Sequence, residues 1–300
     1  MYARSSFVLL ITLLAGTLNG PAWAQAQEPK NKADAEPAAA AGIVAEPCGA
    51  IEPMPAEMTA YFASVANAQA AKEAPPPPSP DAMAQFQAWQ SRQLLQDFSQ
   101  QCRYAKANQA LPPATRHRVV LMGDSITERW AQLDPGFFSD EIIDRGISGQ
   151  TTDQMLGRFR ADVIDLKPEV VQILAGTNDI AGNMGPTSLR RIENNIESMV
   201  ELAKVHHIRV VLGSVPPAAR FWLRPSIAPI ESIRTINTWL KEYAMTAGAV
   251  YVDFYSALAD KDYVFKSDLS PDGVHPNAAG YAVMRPLTER GIADARLRRP

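Results

Sequence analysis

The sequence contains little cysteine and histidine and has no strong excess of either charge. It has 2 cysteines and 4 histidines in 300 residues, too few cysteines for a disulfide framework or a four-cysteine zinc site. Its 29 basic and 32 acidic residues give a formal net charge of −3. Nucleic-acid binding requires a concentrated basic surface, so we expect no nucleic-acid partner. Hydrophobic residues make up 46% of the chain, a composition typical of globular proteins.

The first 24 residues have the three parts of a secretory signal peptide. Arg4 supplies a positive charge, residues 7–15 form an apolar run, and Ala22-Trp23-Ala24 fits a cleavage site. The apolar run is too short to span a bilayer, which takes about 20 residues. A buried N-terminal strand is the alternative. We expect a signal peptide at residues 1–24, a periplasmic or secreted protein, and no membrane segment after cleavage.

Residues 25–80 are rich in alanine and proline. Few large apolar side chains occur in their first half, so burial cannot offset the entropy of ordering that part of the chain. A short helix is predicted near residues 55–71, where Met58 and Tyr61 share a face. The proline run at residues 75–78 predicts an extended spacer. We interpret residues 25–80 as a leader and linker that is largely flexible.

Residues 81–116 are predicted to form an N-terminal helix and a link to the next domain. Asp81 can cap the helix, and Leu94, Phe98 and Cys102 recur every fourth residue on one face. Cys102 could pair with Cys48 in an oxidising compartment. The sequence leaves that pairing open, because it does not show whether the two Cβ atoms approach each other.

Short apolar runs alternate with helical periods over residues 117–295. The runs lie at residues 119–122, 141–144, 170–174, 209–212 and 249–252. Strands that alternate with helices indicate βαβ units and a parallel sheet covered by helices on both faces. Such sheets bind ligands beyond the carboxyl ends of their strands, so residues that follow these runs are candidates for a functional site.

Four short motifs follow the predicted strands in this way. They are Gly123-Asp124-Ser125-Ile126, the segment Arg145–Thr152 containing Gly149, Gly176-Thr177-Asn178-Asp179, and Asp272-Gly273-Val274-His275-Pro276. Together they resemble the four blocks of the SGNH, or GDSL, family of serine hydrolases, over residues 118–292. The resemblance implies a three-layer α/β/α sandwich with a mainly parallel five-stranded sheet, the flavodoxin-like SGNH hydrolase fold, here preceded by a partly helical N-terminal extension.

The resemblance also implies a catalytic triad. Ser125 would be the nucleophile and His275 the general base that activates it, and Asp272 would orient the imidazole from three residues away. The oxyanion hole would consist of the backbone N–H groups of Ser125 and Gly149 and the side-chain amide of Asn178. Glycine suits the second position because it has no Cβ to block close approach.

Each of these residues also has a purely structural interpretation. Ser125 and Glu128 fit a capping box, residues 270–273 fit a type I turn, Gly149 fits an ordinary turn, and Asn178 could cap a helix. To replace the catalytic interpretation, the structural interpretations would all have to apply at once, at four successive strand ends. The absence of a GxSxG motif disfavours the α/β-hydrolase fold.

Several other side chains are candidates for the substrate cleft or for metal binding. Asp124 and four aromatic residues lie on segments that could border the cleft, although ordinary core packing is the alternative for each aromatic. These aromatics are Trp130, Phe221, Trp222 and Phe265. The adjacent pair His206-His207 has no acidic or cysteine partner at ligand spacing, so we interpret it as a solvated helix end. We expect no metal and no cofactor.

These patterns predict a secreted serine esterase that forms an acyl-enzyme. A short-chain or carbohydrate O-acyl (acetyl) esterase is the first hypothesis, because export favours glycan-linked esters. A lysophospholipase or thioesterase is the alternative within the enzymes. A non-catalytic envelope- or carbohydrate-binding protein on the same fold is the alternative outside them. The expected partner is a small-molecule, glycan or lipid ester substrate.

Overall fold

The computed structural model describes residues 47–61, 64, 78–221 and 224–298. The predicted signal peptide at residues 1–24 and most of the predicted leader lie outside the described residues, as does most of the proline run at residues 75–78. Residues 56–61 are helical, within the short helix expected near residues 55–71. None of the helices in the described ranges is long and apolar enough to cross a membrane.

A five-stranded parallel sheet forms the centre of the fold. The strands are β1 (Val119–Gly123), β2 (Ile142–Gly146), β3 (Val170–Leu174), β4 (Arg209–Gly213) and β5 (Val250–Val252). Their order in the sheet is β2-β1-β3-β4-β5, and every neighbouring pair is parallel. The predicted fold class is confirmed.

Helices pack on both faces of this sheet. Helices α4, α6 and α7 share one hydrophobic core with the sheet, and α3, α8 and α9 share a second core on the opposite face. The short helix α5 follows β3. The helices are α1 (Pro80–Gln96), α2 (Ala105–Ala110), α3 (Ser125–Leu133), α4 (Thr152–Asp162), α5 (Thr177–Ile180), α6 (Leu189–Val205), α7 (Ile230–Ala247), α8 (Phe254–Leu258) and α9 (Ala278–Arg296).

The strands β1 and β3 are buried along their whole length, as expected for a parallel sheet covered on both faces. Strand β2 extends to Gly146, beyond the predicted end at residue 144. The polar residues of β2 interrupt the apolar pattern, so the sequence does not predict this extension. The Asp144 carboxylate accepts the Gly146 N–H at 2.7 Å, and the Arg145 guanidinium binds the Asn108 side chain at 2.6 Å, so both polar side chains are satisfied within a strand.

The N-terminal helix and link predicted for residues 81–116 contain two helices, α1 and α2, with a turn between them. Helix α1 ends at Gln96, because the Asp97 carboxylate accepts the N–H groups of Gln101 and Cys102, at 2.8 and 2.9 Å, and so folds the chain into a turn. The N-cap of α1 is Ser79, whose hydroxyl accepts the Ala82 N–H at 3.1 Å. The prediction that Asp81 caps this helix is therefore wrong; Asp81 lies in its first turn.

Cys48 and Cys102 form a disulfide in the structure, with an S–S distance of 2.03 Å and a Cα–Cα distance of 5.2 Å. The bond closes a loop over 54 positions of sequence and holds the turn after α1. We call residues 97–104 the N-terminal clasp. Its Ser99 and Phe98 carbonyls accept hydrogen bonds from the side chains of Gln150 and Gln154, both at 2.9 Å.

Candidate active site

The carboxyl ends of β1, β2 and β3 are adjacent, because β1 lies between the other two strands. Ser125 follows β1 directly and is the first residue of α3, with Asp124 as the N-cap. The Asp124 carboxylate accepts the Ile126 N–H at 2.9 Å. The structural interpretation in which Ser125 caps this helix is therefore wrong, and the Ser125 hydroxyl is available to another partner.

That partner is His275. The Ser125 Oγ lies 2.9 Å from His275 Nε2, and His275 Nδ1 lies 2.7 Å from Asp272 Oδ2. The structure thus brings together the three residues that the sequence proposes as a triad, although Ser125 and His275 are 150 positions apart in the chain. Ser125 retains 8% of its surface exposed and the His275 side chain 20%, so the pair is largely buried but reaches the protein surface.

A tight turn orients the Asp272 carboxylate. Asp272 Oδ1 accepts the backbone N–H groups of Val274 and His275, at 3.0 and 2.8 Å, which leaves Oδ2 for the imidazole. The Ser270 hydroxyl accepts the Gly273 N–H at 2.9 Å and donates to the His275 carbonyl at 2.7 Å. The predicted turn and the proposed catalytic role therefore coexist in the same residues.

The electrostatics of this pair favour a charged carboxylate and a neutral imidazole. Burial alone would raise the pKa of Asp272, but the hydrogen bond and charge of His275 outweigh it and hold that pKa well below its usual range. Burial lowers the pKa of His275, and the positive charge of Arg129 lowers it further, against the opposing effect of Asp272. A neutral imidazole is the form that can accept a proton from Ser125.

This lowered pKa predicts the pH dependence of hydrolysis. Protonated His275 cannot accept the Ser125 proton, so kcat/KM should be low in acid and rise as His275 deprotonates. Because the pKa of His275 is below its usual 6.5, the midpoint of the rise should lie below about 6.5. A profile of kcat/KM on p-nitrophenyl acetate between about pH 4 and pH 8 tests this. A midpoint clearly above the usual histidine value would contradict it.

The three groups proposed for the oxyanion hole lie at the ends of the three adjacent strands. Gly149 has φ of 82°, a left-handed conformation that favours glycine. The Asn178 Nδ2 atom donates to Asp124 Oδ2 and to the Gln150 carbonyl, both at 3.1 Å. The side-chain amide of Asn178 is therefore fixed beside both the residue before Ser125 and the residue after Gly149.

Asp124 is buried next to Ser125 rather than exposed in a substrate cleft. It is 1% exposed, and burial raises its pKa to about 7, with the Ile126 N–H opposing the rise and Asp179 adding to it. Burial also raises the pKa of Asp179 to about 6, although the hydroxyl and N–H of Thr152 donate to that carboxylate. Asp124 thus joins the Ser125 helix to the Asn178 side chain.

A buried ion pair contacts the end of β1 and the loop that contains Gly149. Arg158 and Asp162 have fully buried side chains and are 3.0 Å apart. Arg158 also donates to the Gly123 carbonyl at 3.0 Å and to the Gln150 side chain at 2.5 Å. Breaking a buried pair of this kind typically costs about 3–5 kcal/mol, so Arg158 stabilises the ends of β1 and of the loop containing Gly149.

The aromatic residues proposed for the cleft are in the core instead. Trp130 is 0% exposed and stacks on Phe137 and Tyr281. Phe265 and Phe221 are also buried, one in each hydrophobic core. The prediction that these three side chains border the cleft is wrong, because each lies on the inward face of its segment. Trp222 lies outside the described residues.

The other histidines are remote from this site. His117 is on the surface, 4.0 Å from Glu169. His206 and His207 are exposed at the end of α6, as the sequence predicts. Within the described ranges, no group of three or more histidine, cysteine, aspartate or glutamate residues is placed to hold a metal ion.

Asn183 is a residue beside the site that no sequence pattern indicates. Its Nδ2 atom lies 2.8 Å from Asn178 Oδ1 and 3.2 Å from the Gly149 carbonyl. It follows Asn178 by five positions in a loop between α5 and α6. No spacing rule connects such a loop residue to Gly149, so the contact becomes visible only in the folded chain.

Together the parallel sheet and the Ser-His-Asp contact at its carboxyl edge define the class of a serine hydrolase. The model of the GDSL-like lipase/acylhydrolase family matches residues 121–283. The chain belongs to this family and is an ester-bond hydrolase, as the resemblance implies.

Solved structures and curated proteins agree with this assignment. A candidate acylhydrolase from Bacteroides fragilis is 45% identical, with a TM-score of 0.64 and coverage of 66% of this chain and 98% of that one. A GDSL-like lipase from Bacteroides thetaiotaomicron is 41% identical, with a TM-score of 0.64 and coverage of 66% and 100%.

Two curated relatives are more distant. Esterase TesA of Pseudomonas aeruginosa is 25% identical over 179 residues, which cover 55% of this chain and 83% of the esterase. The uncharacterized lipoprotein YqeF of Bacillus subtilis is 35% identical over 80 residues, which cover 26% of this chain. That match spans only 33% of the lipoprotein.

Proposed function

We propose that this protein is an exported serine esterase that hydrolyses short-chain or carbohydrate O-acyl esters, acetyl esters above all, through an acyl-enzyme. The observation that carries the proposal is the hydrogen-bonded relay from Ser125 to His275 at 2.9 Å and from His275 to Asp272 at 2.7 Å. The proposed roles are nucleophile for Ser125, general base for His275 and orienting carboxylate for Asp272.

In the first half of the proposed reaction, His275 Nε2 takes the proton from Ser125 Oγ as the oxygen attacks the ester carbonyl carbon. The carbonyl oxygen becomes an oxyanion. The N–H groups of Ser125 and Gly149 and the Asn178 amide stabilise it. The protonated His275 then gives its proton to the alkoxide of the leaving group, the C–O bond breaks, and the acyl group stays on Ser125.

In the second half, water replaces the alcohol. His275 takes a proton from the water molecule, whose oxygen attacks the acyl carbon and forms a second oxyanion in the same hole. This intermediate collapses when His275 returns the proton to Ser125 Oγ, which leaves as the free hydroxyl. The ester and one water molecule are consumed, the products are a carboxylic acid and an alcohol, and Ser125 and His275 return to their starting states.

Two observations support export and thereby the substrate class. The Cys48–Cys102 disulfide is of a kind that persists in oxidising compartments, and YqeF, which is similar over 80 residues, is a lipoprotein. Export, which the first 24 residues also predict, separates an enzyme from intracellular acyl thioesters and exposes it to acylated glycans. We therefore favour a glycan or short-chain ester over a thioester substrate.

The test uses the purified oxidised protein with a fluorophosphonate probe and a panel of esters. We expect the probe to label Ser125 and expect p-nitrophenyl acetate and acetylated sugars to be cleaved faster than a long-chain lysophospholipid or an acyl thioester. A preference for the lysophospholipid or the thioester would overturn the proposed substrate class but not the mechanism. A folded protein that takes up no label and cleaves no ester would instead support the non-catalytic binding protein.

A chelator tests the proposed mechanism separately. None of the proposed steps uses a metal ion, so incubation with EDTA followed by removal of the chelator should leave kcat unchanged. Loss of activity that returns when a divalent metal is added back would contradict the proposed mechanism.

A further inference from the structure

One side chain links two of the three groups proposed for the oxyanion hole. Asn183 Nδ2 is 2.8 Å from Asn178 Oδ1 and 3.2 Å from the Gly149 carbonyl oxygen. An amide nitrogen carries two protons, so it can donate both bonds at once. Gly149 follows β2 and Asn178 follows β3, so this contact joins two separate loops at the edge of the sheet.

The first bond fixes which way the Asn178 amide faces. An asparagine side chain could present either its oxygen or its nitrogen to a given neighbour. Here the Asn178 oxygen meets the Asn183 donor, while its nitrogen meets two acceptors, the Asp124 carboxylate and the Gln150 carbonyl. All three partners favour the same orientation, and among the described contacts it is Asn183 that holds the oxygen end.

The second bond restrains Gly149. Glycine has more backbone freedom than any other residue, and φ of 82° is one of several conformations open to it. Its carbonyl is held by Asn183, which anchors the Gly149–Gln150 peptide group. The Ser148 N–H donates to the Glu128 carboxylate at 2.9 Å, which anchors the Ile147–Ser148 peptide group. The peptide group that carries the Gly149 N–H lies between these two anchored groups, which restricts the direction of that N–H.

We propose that Asn183 is a positioning residue of the oxyanion hole, which holds the Asn178 amide and the Gly149 N–H in the orientation that receives the oxyanion. This role rests on the proposed function. The described contacts of the Asn183 amide nitrogen are to Asn178 and Gly149, so Asn183 acts through these two neighbours.

Two substitutions and one matched control test this role. Asn183→Ala removes both donors. Asn183→Asp keeps the size of the side chain, but an ionised carboxylate only accepts hydrogen bonds, so the Asn178 amide should turn its nitrogen toward the new carboxylate. Asn194→Ala is the control, because Asn194 is an exposed asparagine in α6 whose side chain has no described contact with the site.

The measurements are kcat and KM on p-nitrophenyl acetate, the melting temperature, and the affinity for a phenylboronic acid. A boronic acid forms a tetrahedral adduct with a reactive serine and so reports on the oxyanion hole. Loss of a direct oxyanion donor typically costs about 10²- to 10³-fold in rate, and we expect an indirect effect of about tenfold on kcat for Asn183→Ala. The kcat of the Asn183→Asp protein should fall by at least as much. KM and the melting temperature should stay near the wild-type values, and boronic acid affinity should fall in parallel with kcat.

The outcomes separate this inference from the proposed function. Wild-type kcat and boronic acid affinity in both Asn183 variants would overturn the positioning role while leaving the esterase intact. A rise in KM at constant kcat would also overturn it, since Asn183 would then contact the substrate. A wild-type protein that neither cleaves esters nor binds the boronic acid would remove the proposed function and the role of Asn183 with it.

Discussion

Ser125→Ala should abolish esterase activity and leave the fold intact. The substitution removes the only atom that the proposed mechanism acylates, and loss of such a nucleophile typically lowers kcat by about 10⁴- to 10⁶-fold. The stability change should be small, because Asp124 and not Ser125 caps α3. Among the described contacts, the substitution removes the hydrogen bond to His275, which is worth about 1 kcal/mol. Activity on p-nitrophenyl acetate and thermal unfolding should be measured on the same sample.

The matched control is Ser91→Ala. Ser91 is an exposed serine in α1 whose hydroxyl donates to the Gln87 carbonyl within the same helix, so its loss should not alter kcat or fluorophosphonate labelling. Unfolding of the Ser125→Ala protein would indicate a structural role for Ser125. Retention of more than a few per cent of activity in a folded Ser125→Ala protein would exclude Ser125 as the nucleophile.

Asp272→Asn should lower kcat nearly as much as Ser125→Ala does. The reason lies in the geometry of the turn around Asp272. Asp272 Oδ1 accepts the N–H groups of Val274 and His275, so the oxygen of an introduced asparagine should take that place. Its NH₂ group then faces His275 Nδ1, which must become an acceptor, and the single proton of the neutral imidazole moves to Nε2. That tautomer cannot take the Ser125 proton, and we expect a loss of about 10⁴-fold in kcat.

The change should affect turnover much more than binding. Labelling by fluorophosphonate should slow in proportion to kcat, while the KM for p-nitrophenyl acetate changes little. Asp268→Asn is a suitable control, because Asp268 is exposed and its described contact is made by its backbone carbonyl. A folded Asp272→Asn protein with near wild-type kcat would show that the carboxylate does not set the tautomer of His275.

Much of the site could be predicted from the sequence because its main residues follow strands. Parallel strands end at one edge of the sheet, so Ser125, Gly149 and Asn178 are brought together by topology alone. The spacing of three residues between Asp272 and His275 allows one turn to join them. These predictions depend on local pattern and on the order of the strands, both of which can be inferred from one sequence.

The sequence is ambiguous or misleading where the result depends on how a side chain pairs or packs in the folded chain. Asp124 and Ser125 are both good capping residues, and a shift of one position decides which of them caps α3. Trp130 lies on a helix whose inward face is fixed only when Tyr281 packs against it. Asn183 sits in a loop with no periodic pattern. Sequence pattern identifies the elements, but it does not specify which way such side chains turn.

The Cys48–Cys102 disulfide affects how the protein should be prepared. The N-terminal clasp lies before residue 121, where the family match begins, yet its Tyr104 hydroxyl donates to the Gly146 carbonyl and its Ser99 carbonyl binds Gln150. These contacts flank Gly149 on both sides. A fragment cut to the family match loses them, and a chain held in a reducing cytosol lacks the bond that anchors them. Recombinant protein should therefore begin before Cys48 and be oxidised before its kinetics are measured.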